Sequence, residues 1–179
     1  MHRWTESPAL RGHMECVAAC MRACARQLEP GEADRWFVAG LLHDMDYEKH
    51  PTPQAHPFVG VAHLRTLGVD EEILDAIMGH TGHTGVERVS PMAKALFGVD
   101  ELAGFIVACA KVRPNGIADL EPKSVKKKLK DKSFAAAVSR EDIAAGIAAL
   151  GVDDAAHIQM CIDAIGGIGD RVSGIGFRV

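Results

Sequence analysis

The sequence predicts an all-α protein, and three observations support this fold class. Aromatic residues make up only 5% of the 179 residues, and alanine-rich stretches such as 134–138 and 143–150 favour helix over sheet. Apolar residues recur at spacings of three and four along several segments, which is the period of an amphipathic helix. Strand-like alternation of apolar and polar residues never extends beyond a few positions. With 47% hydrophobic residues, the chain is expected to fold as a soluble globular protein.

The first two predicted helices each carry polar residues at one end. The first runs from Gly12 to Leu28, with His13 at its start, and stops before a Pro-Gly turn. The second runs from Ala33 to Asp44 and is so apolar that most of it should be buried. The adjacent residues His43 and Asp44 close this second helix.

The third and fourth predicted helices are bordered by histidines. Pro57 occupies the favoured first position of the third helix, which runs to Leu67, and His56 directly precedes it. The fourth helix begins after the capping residue Asp70 and ends near His80. His83 lies on the glycine-containing loop that follows.

The fifth predicted helix, from about Met92 to Lys111, is nearly all apolar around Asp100 and Glu101. It stops at Arg113, before a proline. Because burying a charge is costly unless it is paired, an acid inside this helix needs a partner.

Beyond residue 114 the composition changes. A lysine-rich stretch from Lys123 to Lys132 is followed by two predicted helices, which begin near Ser139 and Asp153, and by a glycine-rich tail over 166–179. The tail glycines follow no strand, so we reject a dinucleotide-binding fingerprint there. We predict a helical core over residues 1–114 and a C-terminal helical extension over 115–179, packed together as one structural domain.

Five cysteines without a C-x-x-C pair or a preceding signal peptide indicate a reducing compartment, and we expect a cytoplasmic protein. Cys16, Cys20 and Cys24 share one helical face, where a role as small core residues is favoured over a soft-metal or redox site. No apolar run approaches the ~20 residues that span a bilayer. The net charge of -4 argues against a stable complex with nucleic acid.

Six polar residues stand at an end, or on a buried face, of five different apolar helices, and we expect them to form one pocket. They are His13, His43, Asp44, His56, His80 and Asp100. Imidazole and carboxylate groups are natural ligands of Mn, Fe, Co, Ni or Zn, with Mg also open. At a helix end, Asp44 can bind one ion with one oxygen and offer the other oxygen to a second ion. The sequence therefore predicts one or two divalent ions.

The ordered set His13, His43-Asp44 and Asp100 resembles the H…HD…D signature of the HD superfamily of metal-dependent phosphohydrolases. His56 and His80 resemble the two additional histidines of its dinuclear members. Three longer phrases, covering most of the chain from about residue 13 to 150, resemble a bacterial and archaeal group of HD-superfamily hydrolases: LLHDMDYEKHP, VDELAGFIVACAKVRP and SVKKKLKDKSFAAAVSREDI. The resemblance implies an all-α HD-domain bundle, a central His/Asp metal site, and hydrolysis of a phosphate ester or nucleotide.

The sequence also departs from that family. Many dinuclear members carry HDIGK, whose lysine contacts the substrate phosphate, whereas this chain has HDMDY and so has Tyr47 in the lysine's place. The segment between Asp44 and His56 is short compared with some dinuclear members. His56 is therefore either a metal ligand, a residue that supports a ligand, or a donor to the substrate.

Phosphate chemistry needs positive charge near the transferred group. We predict that Lys111, Arg113 and Lys123 bind the substrate, and Arg113 offers a fork of donors that matches a phosphate. His83 is a candidate proton donor to the leaving group, because imidazole exchanges protons near neutral pH. A solvent-exposed loop histidine is the alternative interpretation of His83. Asp44 is predicted to position both metal and attacking water.

These residues predict a metal-dependent phosphohydrolase that acts on a small phosphorylated substrate or a nucleotide. One rival is a di-iron oxygenase, because the same set of four histidines and two aspartates resembles the centre of myo-inositol oxygenase. A second rival is a non-catalytic module that holds a nucleotide or a metal. The C-terminal helices either cap the active site or form a dimer face, so a homodimer is left open.

Overall fold

The computed structural model describes residues 3–169, and over that range the protein contains eight α-helices and no β-strand. The helices are α1 (Pro8–Leu28), α2 (Ala33–Leu42), α3 (Phe58–Thr66), α4 (Glu71–Gly79), α5 (Pro91–Lys111), α6 (Pro122–Leu129), α7 (Arg140–Leu150) and α8 (Asp154–Gly166). The predicted all-α class is confirmed. Most of the predicted glycine-rich tail lies outside the described residues. Within them, none of the helices combines the length and apolar character needed to cross a bilayer.

Side-chain caps explain where most of the longer helices begin. Ser7 accepts a hydrogen bond from the backbone N–H of Leu10, and Pro8 then occupies the first turn of α1. This helix therefore starts four residues earlier than predicted, and His13 lies inside it rather than at its start. Four other helices begin after a capping side chain that accepts a backbone N–H: Asp70, Ser90, Ser139 and Asp153.

The two 21-residue helices α1 and α5 form the centre of the fold. Helix α1 packs against α2, α5 and α8, and α5 packs in addition against α4 and α7. Large side chains such as Met14, Trp36, Leu96 and Phe105 are fully buried between them. Burial of one such side chain contributes roughly 1.5–3 kcal/mol, so this core supplies much of the favourable free energy of folding.

The helices after residue 114 complete the same core. Ile143 of α7 is buried against the centre of the fold, and so are Ile158 and Ile165 of α8. The lysine-rich stretch contains the short helix α6, whose Val125 is fully buried while most of its lysines face solvent. The extension thus packs directly on α1 and α5.

A glycine pair allows α5 and α7 to cross closely. A Cβ atom added to Gly146 would lie 2.5 Å from the Cα of Gly98 and 3.2 Å from the carbonyl oxygen of Phe97. These obstacles are backbone atoms, which cannot rotate away. The crossing therefore requires glycine, and it holds the middle of α7 close to α5.

The five cysteines are all buried and unpaired within the described fold. Burial raises the pKa of Cys16 to about 12 and that of Cys109 to about 11, and it also raises the pKa of Cys24. Because the thiolate is the reactive and metal-binding form, these side chains behave as inert core residues. This agrees with the core interpretation of Cys16, Cys20 and Cys24.

We predict that Gly146→Ala lowers the free energy of unfolding by about 1–3 kcal/mol, because the new methyl group forces α5 and α7 apart. Chemical denaturation followed by circular dichroism measures this change. Gly31→Ala is the matched control, since a Cβ at Gly31 meets no atom within 4 Å. Equal stability of the two variants would contradict the close crossing.

We also predict that the thiols react slowly in the native state. At pH 8, a disulfide reagent such as DTNB should titrate five thiols after unfolding but fewer than one within minutes in the folded protein. Burial and raised thiol pKa values both act in this direction. Fast reaction of several thiols in the folded protein would show that the α1 cysteines are accessible and ionised.

Candidate metal centre

The structure brings together the six residues predicted to form one pocket, and Asp44 lies at their middle. Its Oδ2 atom is 3.5 Å from Nε2 of His43 and 3.8 Å from Nε2 of His13. Its Oδ1 atom is 3.3 Å from Nε2 of His56 and 3.5 Å from Nε2 of His80. Each carboxylate oxygen of Asp44 therefore faces its own pair of histidines.

Asp100 completes the first of these two groups. Its Oδ1 atom is 2.9 Å from Nε2 of His13 and 3.4 Å from Nε2 of His43. His13, His43 and Asp100 form one cluster of potential ligand atoms, and His43, Asp44 and His80 form a second. Both clusters contain His43, and Asp44 of the second cluster also faces His13 of the first.

Hydrogen bonds orient three of the histidine rings. The Nδ1–H group donates to the carbonyl oxygen of Gly40 in His43 (2.8 Å) and to that of Ile77 in His80 (2.5 Å). In His56 it donates to a carboxylate oxygen of Asp46, at 2.7 Å. With the proton on Nδ1, each ring in its neutral form presents Nε2 toward Asp44, and the Nε2 lone pair can then bind a metal ion.

This arrangement requires a cation. Nε2 of His56 and Nε2 of His80 lie 3.1 Å apart, so two lone pairs face each other unless a proton or metal ion lies between them. Nε2 of His43 is buried and has no hydrogen-bond partner among the described residues. Buried polar atoms are rarely left unpaired, and metal ions bound at the centre would satisfy these three nitrogens.

The spacing of the donor atoms fits a transition metal. Two ligand atoms about 2.1 Å from one ion, at an angle between octahedral and tetrahedral, lie roughly 3.0–3.4 Å apart. The Nε2 atoms of His56 and His80 fall in this range, and so does the distance from His56 to Asp44. The donor set of imidazoles and carboxylates thus suits a divalent transition metal.

The ionised groups of the metal-free centre stabilise one another. Burial opposes a charge on His43, but the carboxylates of Asp44 and Asp100 outweigh this and raise its pKa to about 9. Burial likewise opposes ionisation of both carboxyl groups, yet the nearby His43 holds the pKa of each well below the ordinary value. A metal ion entering the centre therefore replaces a proton on His43.

Asp46 is a site residue that the sequence analysis missed. It is fully buried, and while its Oδ1 atom accepts the bond from His56, its Oδ2 atom accepts the backbone N–H of Gly60 at 2.6 Å. A Cβ on Gly60 would approach this carboxylate to 3.0 Å, so glycine permits the contact. The only signal in the sequence was a second aspartate two positions after Asp44.

The centre opens into a cavity of about 1030 Å³. Tyr47, which is 46% exposed, lines it and packs edge-on against the His56 ring. The segment Ala135–Val138 also lines the cavity, and the guanidinium of Arg140 holds it by donating to the carbonyl oxygens of Phe134, Ala135 and Val138.

Glu101 lines the same cavity next to the metal centre. Burial, together with the neighbouring charge of Asp100, raises the pKa of Glu101 to about 7. One of its carboxylate oxygens accepts the backbone N–H of Ser139 at 3.2 Å. The sequence placed this acid in an apolar helix but did not reveal its partner.

His83 lies on the cavity wall in the short turn after α4. Its Nε2–H group donates to the carbonyl oxygen of His56 at 2.8 Å, and its Nδ1 atom accepts the hydroxyl of Thr81 at 2.7 Å. Both ring nitrogens are thus engaged with the loop in this conformation. Its predicted role as a proton donor stays a prediction.

The structure does not bring the three predicted substrate-binding cations to this cavity. Lys111 lies eleven residues after Asp100, which is about 16 Å along the axis of α5. Arg113 lines a separate cavity of about 380 Å³ and is bound to Asp119, with N–O distances of 2.8 and 2.7 Å. Lys123 is exposed in the first turn of α6 and lines neither cavity.

Comparison with known proteins identifies one family. The family model described as HD domain matches residues 10–104, which is more than half of the 179-residue chain. All six residues of the metal centre fall within the matched range. No match was found among curated proteins or among solved structures.

We predict that Asp46→Asn weakens metal binding about 10- to 100-fold, because His56 loses the carboxylate that fixes its ring and proton. Competition with a chromophoric chelator measures the affinity for Mn²⁺ or Zn²⁺. Asp75→Asn is the control, since Asp75 is exposed on the outer side of α4. Unchanged affinity in Asp46→Asn would mean that His56 does not depend on Asp46 for its orientation.

Proposed function

The chain belongs to the HD domain family, and from this premise we propose that the protein is a metal-dependent hydrolase of phosphate esters with two metal ions at its centre. One observation carries the proposal. The two carboxylate oxygens of Asp44 face different histidine pairs, an arrangement that suits a ligand shared between two ions.

Each ion would have its own set of ligands. His13, His43 and Asp100 would hold the first ion together with Oδ2 of Asp44. His56 and His80 would hold the second together with Oδ1 of Asp44. Divalent ions in such a site lower the pKa of water and neutralise charge on a phosphoryl group. Mn, Fe, Co, Ni and Zn all accept these ligands.

The chain's own side chains prepare the centre for this chemistry. Backbone carbonyl oxygens and Asp46 hold three imidazoles with their Nε2 lone pairs directed inward, so little reorganisation is needed during the reaction. Tyr47, in the position of the family's lysine, covers one face of His56. His83 remains the candidate donor of a proton to the leaving oxygen, because it lines the cavity next to His56.

We expect Asp44→Ala to lower the hydrolysis rate of bis(p-nitrophenyl) phosphate and p-nitrophenyl phosphate at least 1000-fold in Mn²⁺-loaded protein. The variant loses the one residue that faces both histidine pairs, so it should also bind fewer ions. Absorbance of nitrophenolate measures the rate, elemental analysis counts the ions, and circular dichroism checks the fold. Asp34→Ala, a change at an exposed residue of α2, is the control.

Other outcomes would favour the rival functions. Consumption of oxygen coupled to substrate loss in the iron-loaded protein, without phosphate release, would identify an oxygenase. Two ions per chain with tight nucleotide retention and no turnover would identify a binding module. A fully active Asp44→Ala variant would overturn the proposed function.

A further inference from the structure

Outside the six residues of the metal centre, much of the cavity lining is apolar. Leu10 of α1, Phe97 and Ala108 of α5, and the segment Ala135–Val138 all contribute to it. Arg140 donates hydrogen bonds to three backbone carbonyl oxygens of that segment and of Phe134 before it, so this part of the apolar wall is held in place by the fold. Such a wall favours an apolar part of a substrate, because contact removes apolar surface from water.

Apart from the six residues of the metal centre, three carboxyl groups line the cavity: Glu48, Asp142, and Glu101, which adjoins Asp100 and has a pKa raised to about 7. Two of them are held in place by the backbone. Glu48 accepts the N–H groups of Glu6 and Ser7, and Glu101 accepts that of Ser139. Because these bonds restrain the side chains, Glu48 and Glu101 cannot readily turn away from a bound molecule.

The cationic side chains lie elsewhere. Arg113, Lys127 and Lys128 line the separate cavity of about 380 Å³. Between residues 3 and 169, the lining of the large cavity includes neither lysine nor arginine. A substrate there would meet positive charge at the metal-loaded centre and negative charge at Glu48 and Asp142.

We propose that the substrate carries a single phosphate-type group, which the metal centre holds, and an apolar remainder without further negative charge. This inference rests on the proposed function and narrows its substrate class. A second anionic group, as in a nucleoside di- or triphosphate, would lie in a cavity whose lining includes the half-buried carboxylate of Asp142 and the exposed carboxylate of Glu48. Repulsion of a like charge by the half-buried Asp142 is stronger than it would be in water.

Three phosphonates that share one head group test the proposal. Phenylphosphonate has a neutral ring, 4-carboxyphenylphosphonate adds a negative charge remote from the head group, and 4-(aminomethyl)phenylphosphonate adds a positive one. Calorimetry measures the Kd of each for the Mn²⁺-loaded protein. We expect the carboxylated compound to bind at least tenfold more weakly than phenylphosphonate, and the aminomethyl compound to bind at least as tightly.

A pair of neighbouring variants assigns the effect to the cavity wall. Asp142→Asn should reduce the penalty for the carboxylated compound at least threefold. Glu141→Gln is the matched control, because Glu141 lies in the same first turn of α7 but is exposed and does not line the cavity. The same penalty in both variants would overturn the role of Asp142, and Mn²⁺ affinity measured in parallel verifies that the metal centre is intact.

The outcomes separate this inference from the proposed function. Equal binding of the neutral and carboxylated compounds overturns the substrate class, even if p-nitrophenyl phosphate is hydrolysed. Failure of all three phosphonates to bind the metal-loaded protein overturns it as well. The expected order of affinities without any hydrolysis would support the substrate class and overturn the proposed function.

Discussion

The centre depends on where three histidines place their protons. His43 and His80 each follow the end of a helix and donate Nδ1–H to the carbonyl oxygen three residues earlier, at Gly40 and Ile77. These carbonyl groups belong to the last turns of α2 and α4, where the helix supplies no N–H donor four residues later. Two helix ends thus use the same local geometry to direct an Nε2 lone pair at Asp44. His56 precedes a helix instead, and Asp46 supplies the acceptor that it needs.

Convergence of lone pairs and carboxylates opposes folding, so the rest of the protein has to compensate for it. Two long buried helices with large apolar side chains do this, and they also carry His13 and Asp100 into the centre. In the metal-free state the pKa of His43 is raised, so this ring keeps a proton that offsets part of the negative charge of Asp44 and Asp100. The Nε2 atoms of His56 and His80, which face each other, still have no proton between them. A cation bound there would relieve the repulsion between their lone pairs.

The sequence predicted most of the helices and the six central residues, because helix periodicity and caps are local and the order of the polar residues is specific. It missed features that depend on packing between distant segments. Asp46 was assigned to a loop, and the bond from Glu101 to Ser139 joins α5 to the start of α7. Lys111 shares a face with Asp100 but lies three helical turns away, so periodicity alone could not show that it is out of reach.

The centre and the wall of the cavity belong to different parts of the chain. The six central residues all lie within the family-matched range 10–104, whereas the segment Ala135–Val138 and Asp142 lie beyond it. The crossing at Gly98 and Gly146 connects the two parts, because it presses α7 against the helix that carries Asp100. Changes in α7 or in the preceding segment can therefore alter the cavity wall without replacing a residue of the centre. A family can in this way keep one metal centre while the cavity wall, and with it the substrate that fits, differs between members.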